Sequence, residues 1–143
     1  MRWAPLAALL FAGAAAAADW RTVGEAGALL YDAPSAQATP LYVLTAHYPL
    51  EVIVELETWA KVRDHTGAIT WVQKSSLTEK RSVLVTAPAT QVHLRPEEGA
   101  PVAFVAAQNV ALEFLEAAPG GWLHVRHADG ADGYLRASAA WGD

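Results

Sequence analysis

The side chains able to move protons or bind metal are scattered along this 143-residue chain rather than grouped. His47, His65, His93, His124 and His127 show no ligand-like spacing. His124 and His127 stand three apart on an expected strand, so they face opposite sides and do not share a metal. Asp64-His65 falls at an expected turn tip, where solvated polar residues are routine. Nucleophilic catalysis needs Ser, His and a carboxylate converging in one pocket. Ser75, Ser76 and Ser138 lie in short segments without a nucleophile elbow. Glu51, Glu55 and Glu57 line the solvated face of an expected strand, where they protect an edge and add solubility. The absence of cysteine excludes disulfides, thiol catalysis, thiolate metal sites and lipid attachment through an N-terminal cysteine. These residues predict no enzyme, no cofactor and no metal centre.

What remains is aromatic, and its chemistry is stacking and apolar contact. By strand alternation Trp59 shares a face with Lys61 and Arg63, opposite Ala60 and Val62. Trp71 likewise opposes Thr70 and Val72. If the valines point into a core, both tryptophans lie on the outer face as cross-strand neighbours. Tyr31 and Tyr42 would border them. Trp122 and Tyr134 are the equivalents in the second half, with His93 and Phe104. Two readings stay open. The rings line a groove for an extended peptide or glycan strand, or they cover an under-sized core or form the joint between the two halves.

The elements that must position these rings come from an internal repeat. Trp59-Ala-Lys-Val-Arg-Asp-His-Thr-Gly-Ala-Ile-Thr-Trp-Val72 recurs as Trp122-Leu-His-Val-Arg-His-Ala-Asp-Gly-Ala-Asp-Gly-Tyr-Leu135. Trp59 and Trp122, Val62 and Val125, Arg63 and Arg126, Gly67 and Gly130, and Trp71 and Tyr134 all differ by 63 positions. Each copy predicts a hairpin whose glycine supplies the positive φ of the turn. Upstream, Ala28–Tyr31 and Leu41–Leu44 are expected strands flanking a loop with prolines at 34 and 40. Leu50–Glu57 alternates apolar and mostly acidic residues, which predicts a strand with one face on a core. Ser75–Leu77 and Ala137–Ala139 suit single 3₁₀ turns. The same order recurs from Ser82, with strands expected at 91–94, 102–105 and 111–115. The offset rises from 62 to 63 before the second hairpin, which places a one-residue insertion at Ala117–Gly121. Residues 19–28 are loosely patterned and either cover an edge of the first unit or form a flexible lead-in.

Each unit therefore has about five short strands, as in a small, strongly bent β-barrel. The expected division is a signal peptide at 1–18, a first unit at 19–78 and a second at 81–143, with a charged joint at Thr78–Arg81. Units this small are marginal alone, so the two are expected to pack together.

Met1-Arg2-Trp3 is a short basic head followed by an apolar run to Ala17, and Ala16-Ala17-Ala18 before Asp19 supplies a small-x-small cleavage site. The run is short for a bilayer span, which needs roughly 20 apolar residues, so cleaved export is expected over a retained anchor. Removing Arg2 with the leader takes one from the 10 Lys and Arg against 15 Asp and Glu, leaving about −6. So acidic a chain is a poor partner for nucleic acid or anionic lipid.

Strand, Trp-x-x-Val-Arg, turn, Gly-x-x-x-Trp-Val, preceded by Pro49-Leu-Glu-Val52 and an early loop with Pro34, resembles the bacterial SH3-like domains. The tandem, signal-bearing arrangement is similar to the exported two-repeat SH3-like proteins of proteobacteria, over about Gly27 to Trp141. The family's first loop usually carries Asn-Val-Arg-x-Gly-Pro; here only Arg95 and the prolines at 34 and 96 remain. Thr70 also stands where the family prefers Gly, which Gly133 keeps. The resemblance implies an all-β fold of two small SH3-like barrels after the signal peptide. It implies a non-enzymatic periplasmic or secreted binding module, with cell-wall (peptidoglycan) peptide or an envelope protein as partner. The alternative is a scaffold docking on a larger envelope complex, with the tryptophans buried between the units.

Overall fold

The computed structural model describes residues 17–143. The expected leader, residues 1–18, lies outside the described residues except for Ala17 and Ala18. From Asp19 onward the chain forms two antiparallel sheets and no α-helix. The first sheet holds β1 (Asp19–Val23), β2 (Ala28–Tyr31), β3 (Pro40–Leu44), β4 (Pro49–Glu55), β5 (Trp59–Arg63), β6 (Ile69–Gln73) and β7 (Leu77–Thr78). The second repeats the order with β8 (Ser82–Val85), β9 (Thr90–His93), β10 (Val102–Ala106), β11 (Ala111–Ala118), β12 (Trp122–Arg126), β13 (Asp132–Arg136) and β14 (Ala140–Trp141). Spatial order is β3-β2-β6-β5-β4-β1-β7 in one and β10-β9-β13-β12-β11-β8-β14 in the other. Among the described residues no helix is long and apolar enough to cross a membrane.

Each sheet has seven strands where about five were expected. The added ones are the lead-in strands β1 and β8, and the two-residue strands β7 and β14. The latter follow 3₁₀ turns at Lys74–Ser76 and Ala137–Ala139 and return to pair with β1 and β8. Residues 19–23 are thus an edge cover and not a flexible lead-in: β1 runs antiparallel to β4 from Asp19↔Val52 to Thr22↔Pro49. Two-residue pairings leave no periodicity to read, which is why the pattern missed them.

Each sheet curls over its own core. Val23, Leu30, Leu50, Val62 and Val72 close the first, and Val83, Val92, Leu112, Val125 and Leu135 the second. The hairpin valines point inward, as alternation predicts. The long strand departs from its pattern. Val52 pairs with Val62, but Val54 pairs with Lys61, so Ile53 is an extra residue in a β-bulge. The bulge reverses the phase, and Val54 and Leu56, expected on the core face, are 42% and 43% exposed. The second barrel keeps the bulge at Leu115, between Phe114↔Val125 and Glu116↔His124.

The barrels meet along β1, β8 and the C-terminus. Thr22 Oγ1 and Ser82 Oγ lie 3.0 Å apart, and Ser82 Oγ donates to the His47 carbonyl at 2.7 Å. Trp20 and Trp141 pack edge to face, with centroids 4.7 Å apart. At Gly142, with φ of 120°, a Cβ would lie 3.2 Å from Pro49 Cβ and 2.9 Å from the Ser82 carbonyl. Only glycine allows that approach.

Candidate functional site

Three adjacent strands place Tyr31, Trp59 and Trp71 on the outer face of the first barrel. Tyr31 on β2 pairs with Trp71 on β6, and Trp71 pairs with Lys61 on β5, which pairs with Val54 beyond the bulge. The row across the sheet is therefore Tyr31, Trp71, Lys61, Val54, facing away from the core. Trp59 stands beside this row, paired with Gln73, and meets Tyr31 edge to face at 5.3 Å. The Lys61 ammonium lies 5.9 Å from the Trp71 ring centre, within cation–π range. Tyr31, Trp59 and Trp71 are all half-buried.

Two clefts flank the Tyr31–Trp59 pair. One, of about 260 Å³, is bounded by Leu29, Tyr31, Val43 and Gln73. The other, of about 390 Å³, is bounded by Glu57, Trp59, Gln73 and Lys74. Gln73 borders both, so they form a broken groove running past the two rings. Its ends carry Val43, which is 73% exposed, and the ion pair Lys74–Glu55 at 3.0 Å.

Tyr42 does not join this group. It pairs with Leu30, the buried neighbour of Tyr31, and so lies on the opposite face of the sheet from Tyr31. It is 52% exposed at the sheet edge. Strand alternation within β2 gives this once the pairing is known, but the register across a long loop is not visible in the sequence.

The second barrel repeats the geometry with other chemistry. Its row is His93, Tyr134, His124, Glu116. Trp122 meets His93 edge to face at 5.6 Å, as Trp59 meets Tyr31. Trp122 is nevertheless closed off, at 4% exposed. The Arg136 guanidinium lies 4.3 Å over its ring, and Arg136 Nε donates to Glu98 Oε1 of the first loop at 2.8 Å. In the first barrel those two positions are Gln73 and Ala36, which leave Trp59 uncapped. The Arg136–Glu98 pair was the missed signal. It was present in the sequence as a difference between the repeats.

Tyr134 stacks on His124 at 4.5 Å with the planes 12° apart. His124 Nε2 is 2.7 Å from Asp132 Oδ2, and its Nδ1 is 3.8 Å from Glu116. The His124 hydrogen bond holds the Asp132 carboxyl below the ordinary aspartate range. One face of Tyr134 is thus occupied by a stacked ring, whereas its counterpart Trp71 has the Lys61 ammonium at that position. His93 is buried, with Nδ1 2.9 Å from the Ala100 carbonyl, which ties the first loop down. Among the described residues no group of three or more His, Asp or Glu side chains is placed to hold a metal ion.

The tryptophans of the two hairpins do not form the joint between the barrels; Trp20 and Trp141 do. Burial of Trp59 and Trp71 between the units, expected for a scaffold, is therefore not found.

A family model described as bacterial SH3 domain matches residues 24–79 and again 89–142. The chain belongs to the bacterial SH3 domain family. Each matched SH3 range covers six of the seven strands of its sheet, all but the lead-in strands β1 and β8, which precede the matched ranges. Among solved structures, the chain is similar to NlpC2 from Trichomonas vaginalis, at 16% identity and a TM-score of 0.41 over 91% of this chain and 50% of that one. NlpC1 from the same organism matches at 16% identity and 0.41, over 91% of this chain and 48% of that one. An NlpC/P60 family protein from Bacillus cereus matches at 17% and 0.37, over 86% of this chain and 56% of that one. The tandem SH3 chain thus spans about half the length of these proteins. No curated protein matches it.

Proposed function

We propose that this is an exported, non-enzymatic binding protein whose first SH3 barrel grips an extended chain, cell-wall peptide or a segment of an envelope protein, along its outer aromatic face. The observation that carries this reading is the uncapped Tyr31–Trp59 pair with a cleft on either side. Half-exposed rings fixed by edge-to-face packing offer flat contact area at little cost in side-chain entropy. Lys61 and Lys74 beside them suit backbone carbonyls or carboxylates of the ligand. The second barrel, its tryptophan capped by Arg136, serves as a partner body rather than an equal site. Retention of the purified protein on isolated peptidoglycan tests the reading. Trp59→Ala should weaken retention about tenfold or more, as expected for truncating a central aromatic anchor. Trp122→Ala should act only through stability. Retention that survives Trp59→Ala and Trp71→Ala unchanged sinks it.

A second reading is a scaffold in which both barrels dock as one body on a larger envelope complex. The Thr22–Ser82–His47 link and the Trp20–Trp141 contact favour it. Loss of partner capture in Trp141→Ala, with Trp59→Ala unaffected, would select it.

A further inference from the structure

The seam between the barrels holds a cleft of about 270 Å³. Thr22 and His47 of the first barrel form one wall, and the rest includes Lys80 and Arg81 of the joint and Glu113, Arg126 and His127 of the second barrel. Three permanent cations meet a single carboxylate there. Glu113 is shared between Lys80 at 3.7 Å and Arg126 at 4.0 Å, both long contacts. Arg81 has no carboxylate partner among the described residues. Its Nη2 donates to the Gly142 carbonyl at 2.8 Å, and its guanidinium lies 5.1 Å from the Phe114 ring centre. Its buried Nε–H has no hydrogen-bond partner among the described residues. The rest of the molecule is acidic, with a formal net charge of −5 for the whole chain. A concave, partly desolvated patch of the opposite sign concentrates field and attracts anions.

We infer that this inter-barrel cleft is an anion site, which takes a compact oxyanion, a carboxylate or a phosphate group, between Lys80, Arg81 and Arg126. Guanidinium forks match both groups in geometry, and the lysine adds a mobile point charge. The volume admits a group of amino-acid size and leaves no room for a folded partner. The site is separate from the aromatic face of the first barrel, so it stands or falls independently of the binding proposed there.

Backbone-amide NMR titration of the purified protein tests it with three probes: inorganic phosphate, acetyl-Ala-Ala with a free carboxylate, and the same dipeptide as its amide. Saturable shifts at residues 80–82 and 126–127 are expected for phosphate, for the carboxylate peptide or for both, and none for the amide. Which anion responds identifies the source. Lys80→Gln and Arg126→Gln, both exposed, should each weaken binding on the order of fivefold, since hydrogen bonds to charged groups at exposed sites are discounted by screening. Glu113→Gln should tighten it, and Trp59→Ala should leave it unchanged. Binding should weaken as salt rises to about 0.15 M. No saturable binding by either anion, equal binding of the amide, or binding unmoved by the three substitutions in the cleft overturns the proposal.

Discussion

Thr70 and Gly133 occupy the same position in the two repeats and show how one side chain changes a barrel. In the second barrel a Cβ at Gly133 would lie 2.6 Å from the His93 carbonyl and 2.8 Å from Val92, so β9 and β13 close on each other there. In the first barrel Thr70 is buried and its hydroxyl has no hydrogen-bond partner among the described residues. A buried hydroxyl without a partner is costly, so Thr70→Val, of the same shape, should stabilise the protein by about 1 kcal/mol. Urea denaturation checks it, and a lower midpoint would contradict it. Asp132 gives a prediction in pH. Its carboxyl is held below the ordinary range chiefly by the His124 hydrogen bond. A carboxyl depressed in the folded state adds stability that is present above the unfolded pKa and is lost as pH falls through the folded one. Asp132→Asn should therefore lose less stability than the parent as pH falls from neutral into the acid range where this carboxyl takes up its proton. Equal losses would show that the pair contributes nothing.

At the scale of elements, the hairpin of each repeat sets the face that carries the aromatics, and the bulge in the preceding strand adjusts it. Ile53 and Leu115 are bulged at the same place, so the feature belongs to the repeat. In the first barrel it turns Val54 outward to stand beside Lys61. The strand-to-strand distance matters as much as the strand content. Gly133→Ala would force β13 from the His93 carbonyl, a backbone atom that cannot rotate away. A loss of about 1–3 kcal/mol is expected, as for overpacking in a core. A melting temperature unchanged from the parent would show that β9 can move freely.

At the scale of the whole molecule, the seam is as specific as the cores. Ser82 is buried and serves two partners in the first barrel at once, the Thr22 hydroxyl and the His47 carbonyl. Ser82→Ala leaves both unmatched and should cost about 1–2 kcal/mol, read from the urea midpoint. The expected consequence is also a more exposed Trp20, seen as stronger quenching by a soluble quencher. Unchanged quenching with an unchanged midpoint would mean the barrels associate without this link. The seam also sets the charge of the inter-barrel cleft, since it brings Lys80 and Arg81 of the joint beside Arg126, which lies 45 positions further on.

The 63-residue repeat, the inward valines and the outward tryptophans were legible in the sequence because alternation on a half-buried strand is a local property. So was the hairpin glycine, Gly67 at φ 88° and Gly130 at φ 94°. The two-residue strands, the bulges and the face of Tyr42 were not, because pairing partners and register are set by contacts across the sheet. The sequence also held the pair Arg136 and Glu98 without saying that they meet. Folding brings them, 38 positions apart, over Trp122 and closes one aromatic site, while Gln73 and Ala36 leave the other open. Residue types and their periodicity determine the barrels; which barrel presents its rings is decided by side chains that only tertiary packing makes neighbours.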